Sequence, residues 1–235
     1  MKVSVSRLPV WLILLFLVTA CSTGHHNVRK DALVERATIE IAEHQLLDVW
    51  IAVFEPGDLP DDEDDGKGLS VEIRQAEARF IPINLRDTLE KTGYWGAVRV
   101  VPQDTSGAEV LMTGTIVESD GEALEVEITV VDASGRRWYR RTYAAEVELA
   151  DYLQSERTGR DVFQALYNSI ANDLAAYRAK LDIKDIGTLR QIAALRFADD
   201  LAPDAFGAYL QTDSGGKVSI TRLPARDDPM YGRVS

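Results

Sequence analysis

The stretch GEALEVEITVVDASGRRWYRRTYAAEV, residues 121–147, decides how this chain folds. From Ala123 to Val131 apolar and polar residues alternate. Leu124, Val126, Ile128 and Val130 fall on one side, with Glu125, Glu127 and Thr129 on the other. A period of two is the mark of a strand with one buried and one wet face. Asp132-Ala133-Ser134-Gly135 reads as a turn, and Arg136 to Val147 as the returning strand. If Val131 faces Arg136, Ile128 meets Tyr139 and Leu124 meets Tyr143 on the apolar side. Glu127 then meets Arg140, with opposite charges, on the polar side.

Working outward, Glu109 to Glu118 is a third strand, joined to the hairpin through Ser119-Asp120-Gly121. Further upstream, Asp48 to Glu55 (DVWIAVFE) reads as a strand buried on both faces and ended by Pro56-Gly57. Ser70 to Thr92 is helical, with Ser70 as cap and Ile81, Leu85 and Leu89 as its apolar stripe. Pro82 should kink or split it, since proline removes a backbone donor from the helix. Ala97 to Val101 is a short strand stopped by Pro102, with Trp95 before it as a core plug or an exposed contact residue. Downstream, Asp161 to Leu181 is a strongly amphipathic helix, followed by a second from Asp182 to Leu201 and a short third near Pro203. Val218 to Leu223 reads as a short strand.

The expected architecture is therefore α/β (α+β). A mixed sheet of about five strands with an antiparallel meander is packed by helices and followed by a C-terminal helical extension. The organisation reads as leader 1–20, polar tether 21–27, N-terminal helix 28–47, α/β domain 48–181 and extension 182–235.

Three stretches carry a resemblance: DVWIAVFE, then NLRDTLEKTGYWGAVRVVP, then AEVLMTGTIVESDGEALEVEITVVDASGRRW. Between Val49 and about Leu181 the chain resembles the N-terminal domain of TolB and the periplasmic domains of the lipoproteins CsgG, FlgO and LpoB. Taken whole, it looks like a proteobacterial lipoprotein family. The resemblance implies a periplasmic α/β domain that binds other envelope components. The acidic insert at 56–69, Pro82 and the tail after 182 depart from that pattern.

The first residues point the same way. Lys2 and Arg7 precede the apolar run Leu8 to Ala20, which is 13 residues long and too short for a bilayer core that needs about 20. The run ends in Val18-Thr19-Ala20-Cys21, which resembles the lipobox of bacterial lipoproteins. That resemblance implies cleavage before Cys21, a diacylglyceryl thioether on its sulfur and an acylated amino group. Ser22, rather than Asp, then favours the outer membrane. The alternatives are an ordinary signal peptide with a chance cysteine, or a short anchor.

Cys21 is the single cysteine, so the domain has no thiol left for a disulfide, a nucleophile or a zinc cluster. Loss of Lys2 and Arg7 takes the formal charge from −12 to −14, and a net charge that acidic argues against nucleic acid or anionic lipid surfaces as partners. His25 and His26 lie in the tether and His44 on the expected N-terminal helix. No nucleophile elbow, phosphate loop, dinucleotide fingerprint or paired-histidine zinc motif occurs.

One motif asks for a metal. In DDEDDGKGLSVE, residues 61–72, Asp61, Glu63, Asp65 and Glu72 fall at positions 1, 3, 5 and 12 of a calcium loop, with Gly66 at position 6. A strand rather than a helix enters it, and Gly68 stands where an aliphatic residue is needed, so a charged loop is the plainer reading. No cofactor is expected beyond the covalent lipid. The function expected is a binding or assembly module, not an enzyme, anchored by lipid and facing an envelope protein in the periplasm. The alternatives are a structural oligomer of a secretion or transport complex, or a hydrolase with an unmarked carboxylate site.

Overall fold

The computed structural model describes residues 24–58, 70–102 and 107–225. The fold is α/β, with a six-stranded mixed sheet in the order β1-β6-β5-β4-β2-β3. In chain order the strands are β1 (Gly24–Asn27), β2 (Val49–Ala52), β3 (Val98–Val101), β4 (Val110–Ser119), β5 (Ala123–Asp132) and β6 (Arg137–Glu146). The helices are α1 (Val71–Glu90), α2 (Leu149–Thr158), α3 (Gln164–Arg178), α4 (Ile183–Leu201) and α5 (Pro203–Phe206). A separate hairpin joins β7 (Leu210–Thr212) to β8 (Val218–Ile220).

All strands of the main sheet except β5 point one way. The upper end of the sheet thus holds the β4–β5 turn, and the lower end the β5–β6 turn. The meander's alternation is realised as read. Leu124, Val126, Ile128 and Val130 are buried with Val110, Met112, Ile116 and Tyr143, and they share one core with α1 and α3.

The β5–β6 register differs by two residues from the sequence reading. Val126 faces Tyr143 and Val130 faces Tyr139, with an irregularity between Val130 and Val131. The cause is Asp132. Its buried carboxylate accepts hydrogen bonds from the Ser134 amide and hydroxyl, the Arg136 amide (3.3 Å) and Nε (2.9 Å), and Trp138 Nε1 (2.8 Å). Drawing in both Arg136 and Trp138 lengthens the turn before regular pairing resumes. A shift of two keeps every side chain on its face. Glu127 and Arg140 still meet, diagonally, at 2.6 Å.

Pro82 neither splits nor ends α1, which runs through it as one helix. Proline leaves the carbonyl four residues back without its helical donor. That carbonyl, on Ala78, instead accepts from the Phe54 amide at 3.0 Å, at the end of β2. The Phe54 ring lies on Gly114 of β4, where a Cβ would sit 2.5 Å from its ring carbons. The vacancy in the helix is the joint that fastens helix to sheet.

Residues 28–47 are not the expected helix. They form an extended strap with one 3-10 turn at Glu43–Gln45. Their backbone groups are satisfied from outside. Asn168 Nδ2 donates to the Ala32 carbonyl, Asn172 Nδ2 to the Leu33 carbonyl, and the Ala37 amide donates to the Thr92 carbonyl. Asn168 and Asn172 are one turn apart on α3, so one helix face clamps two adjacent strap carbonyls. The solvated tether is also corrected over its described part, since residues 24–27 form β1, parallel to β6. The tail after 182 holds the two expected helices, but it is no appendage. Ile186, Leu189, Ile192, Ala193 and Val218 join the main core. Trp95 is buried, as a core plug would be.

Two outcomes follow for chemical denaturation. Val126→Asp places a charge in the dry layer between sheet and helix and should cost several kcal/mol, whereas Glu127→Gln on the polar face should cost less than about 1 kcal/mol. Asp132→Asn turns an acceptor into a donor facing Arg136 or Trp138 and should cost about 3 kcal/mol. Similar losses from Val126→Asp and Glu127→Gln would contradict the alternation. A neutral Asp132→Asn would contradict the role given to the turn.

Candidate functional site

The expected site residues divide between described and undescribed parts of the chain. Cys21, Asp61, Glu63 and Asp65 lie outside the described residues. Glu72 lies in the first turn of α1, whose cap Ser70 accepts from the Ile73 amide at 3.2 Å. A carboxylate there is favoured by the helix dipole whether or not a metal is bound. Among the described residues no three His, Cys, Asp or Glu side chains converge as a metal site. The His26 ring meets Tyr143 edge-on at 5.8 Å.

A concavity opens at the upper end of the domain, and no single motif announced it. It measures about 610 Å³, within the range of small-molecule pockets. It is built by the strap at Lys30–Leu33, one side of α2, the loop Arg160–Val162 and the first turns of α3. α2 escaped the sequence reading because its large apolar residues, Leu149, Tyr152 and Leu153, span a single turn, and none of its residues is buried. Its signal is in its ends. Glu148 and Asp151 form a reciprocal capping box, and Gly159 closes the helix in the left-handed conformation. Tyr152 Oη pins α2 to the Gly121 carbonyl in the β4–β5 turn. Lys30 reaches back from the strap to Asp151 at 3.3 Å and Glu148 at 3.4 Å.

The groove floor is polar and already ordered. Gln164 Nε2 donates to Thr88 Oγ1 and Asn168 Oδ1, both at 3.0 Å. Asp161 sits where the loop turns into α3, and burial pushes its carboxyl above the ordinary range while a hydrogen bond from the Phe163 amide pulls it down. One oxygen accepts from that amide at 2.8 Å and the other from Asn84 Nδ2 at 3.3 Å. Asp161 thus positions the start of α3. Below Lys30 and Asp151 the groove adjoins a small niche of about 50 Å³ that is walled partly by Val28, Val147, Val162 and Phe163. The arrangement can hold a polar ligand with a small apolar tip. It brings no nucleophile and base together.

No family model matches the chain, and no curated protein matches it. Among solved structures it is similar to a PelC variant from Paraburkholderia phytofirmans that forms a dodecamer. The identity is 16% and the TM-score 0.36, over 60% of this chain and 95% of that one. No helix of the described residues is long and apolar enough to cross a membrane.

The first turn of α1 yields a direct test of the calcium motif. Glu72→Gln should cost roughly 0.3–1 kcal/mol through the helix dipole, equally with and without calcium at about 1 mM. Thermal melts of both forms decide it. A calcium-dependent rise in melting temperature that Glu72→Gln removes would make residues 61–72 a cation site.

Proposed function

We propose that this chain is a lipoprotein, anchored through Cys21 in the outer membrane and facing the periplasm, that acts as a binding or assembly module for another envelope component. The partner is received at the upper end of the domain, in the groove between strap, α2 and α3. The observation that supports this reading most is the form of that groove: a preordered polar concavity with no reactive pair, the form of a recognition site. The leader ending in Val18-Thr19-Ala20-Cys21 supports the anchor. The lipid holds the protein on the membrane, since three acyl chains bind far more firmly than one at about 0.8 kcal/mol per buried CH2.

Cys21→Ser should abolish acylation, leaving precursor or protein that no longer fractionates with outer membranes. A variant that still matures and fractionates normally would overturn the anchor. In intact cells, a photoreactive residue at Gln154 on the groove lip should capture an envelope component that the same residue at Thr113, on the polar face of the sheet, does not. Identical products from both positions would overturn the groove as the binding surface.

A further inference from the structure

β1 restricts how an anchored domain can sit. It begins at Gly24, paired with Arg141, four residues above the lower end of β6 at Arg137. Three residues lead from Cys21 to Gly24, a reach of at most roughly 11 Å. The upper end of β6, at Glu146, lies five residues beyond Arg141, about 17 Å further along the strand. A lipid on Cys21 therefore holds the β1 edge near the bilayer and leaves the two ends of the sheet at similar distances from it.

The surface of the lower end suits such a neighbour. α4 lies across it. Arg190 reaches Glu109 at the foot of β4 at 3.5 Å, and Arg196 donates to the Ala133 carbonyl in the β5–β6 turn at 3.1 Å. At the corner where α3 passes into α4, Ile183 is 61% exposed between the exposed cations Lys180 and Lys184. Lys180 stands over the Tyr177 ring at 5.1 Å, and that ring stacks on Trp138 at 4.6 Å, so the corner is braced against the sheet. The acids beside it, Asp182 and Asp185, are turned to the α4 capping box. Thr188 and Gln191 continue the exposed side of α4 without charge, and Arg136 and Arg137 are exposed in the adjoining turn. At the upper end Glu118, Glu122, Glu146 and Glu148 are exposed around the β4–β5 turn and α2, with Lys30 and Arg160 at the groove.

We infer that the lower end of the domain docks on an anionic phospholipid surface, with Ile183 seated at headgroup level between Lys180 and Lys184. The inference rests on the lipid anchor. An apolar side chain flanked by lysines places its body in the interface while the ammonium groups stay among the headgroups. The glutamates of the upper end are repelled by the same surface, so charge selects between the two ends that the tether leaves open. The groove then opens away from the membrane.

The test uses the full acylated chain in vesicles of phosphatidylethanolamine and phosphatidylglycerol. Acylation consumes the Cys21 thiol, so Ile183→Cys provides the sole thiol for an environment-sensitive fluorophore. Val117→Cys, 50% exposed near the upper end, provides the reference. The probe at 183 should shift to the blue and be quenched severalfold more by headgroup-proximal spin-labelled lipids than the probe at 117. Lys180→Glu with Lys184→Glu should reduce that quenching while leaving the protein on the vesicles. A probe at 183 that stays in water, or one quenched no more than the probe at 117, overturns the docking with the anchor intact. A Cys21 found unacylated by mass spectrometry overturns the anchor and the docking together.

Discussion

The structure depends on a hydrogen bond that a helix cannot make for itself. Pro82 deprives the Ala78 carbonyl of its donor, and the Phe54 amide takes the place. Because Phe54 follows β2, that bond fixes where α1 crosses the sheet. The Phe54 ring has room only because Gly114 has no side chain. The Glu55 amide donates to the Gly114 carbonyl at 2.8 Å, so Gly114 also aligns the end of β2 with β4. A proline that looks like a helix breaker is a docking element, because a buried backbone carbonyl must find a partner and the chain leaving β2 supplies one.

Two buried ionic groups hold the ends in a comparable way. At the upper end the Arg74 guanidinium donates to the Pro56 and Ser119 carbonyls, each at 3.2 Å, and lies 3.5 Å from Glu77. Ser119 Oγ donates to the other Glu77 oxygen at 2.7 Å. At the lower end Asp132 closes the β5–β6 turn. Each collects carbonyls or donors that would otherwise be left dry, and such groups are costly to disturb once one partner is removed. The sheet is thus pinned at both ends by polar chemistry and through its middle by apolar packing.

This rigidity gives the two ends separate characters. The upper end is acidic and holds the groove, whose walls come from elements far apart in sequence. The lower end is capped by α4, with its lysines and Ile183. The strap from Val28 to Leu47 passes between these regions along α3, clamped by Asn168 and Asn172. The groove wall at Lys30–Leu33 is therefore set by the same helix that forms its floor.

The sequence by itself determined the meander, the burial of its alternate residues, α1 and the amphipathic α3. Each is a local pattern whose period or spacing is complete within a few residues, and burial on one face enforces it. It did not determine the strap, β1, α2 or the groove. Residues 28–47 have apolar side chains only loosely on one face, and their conformation is chosen by asparagines more than 120 positions away. α2 buries nothing and its large apolar residues cover one turn, so its caps mark it more clearly than its periodicity does. The β5–β6 register was legible in its facing and not in its count, since the length of the turn depends on how many donors the Asp132 carboxylate gathers. What tertiary structure alone decided are the places where a backbone group or a buried charge finds its partner across a long stretch of chain, because no local pattern encodes a partner that only folding brings near.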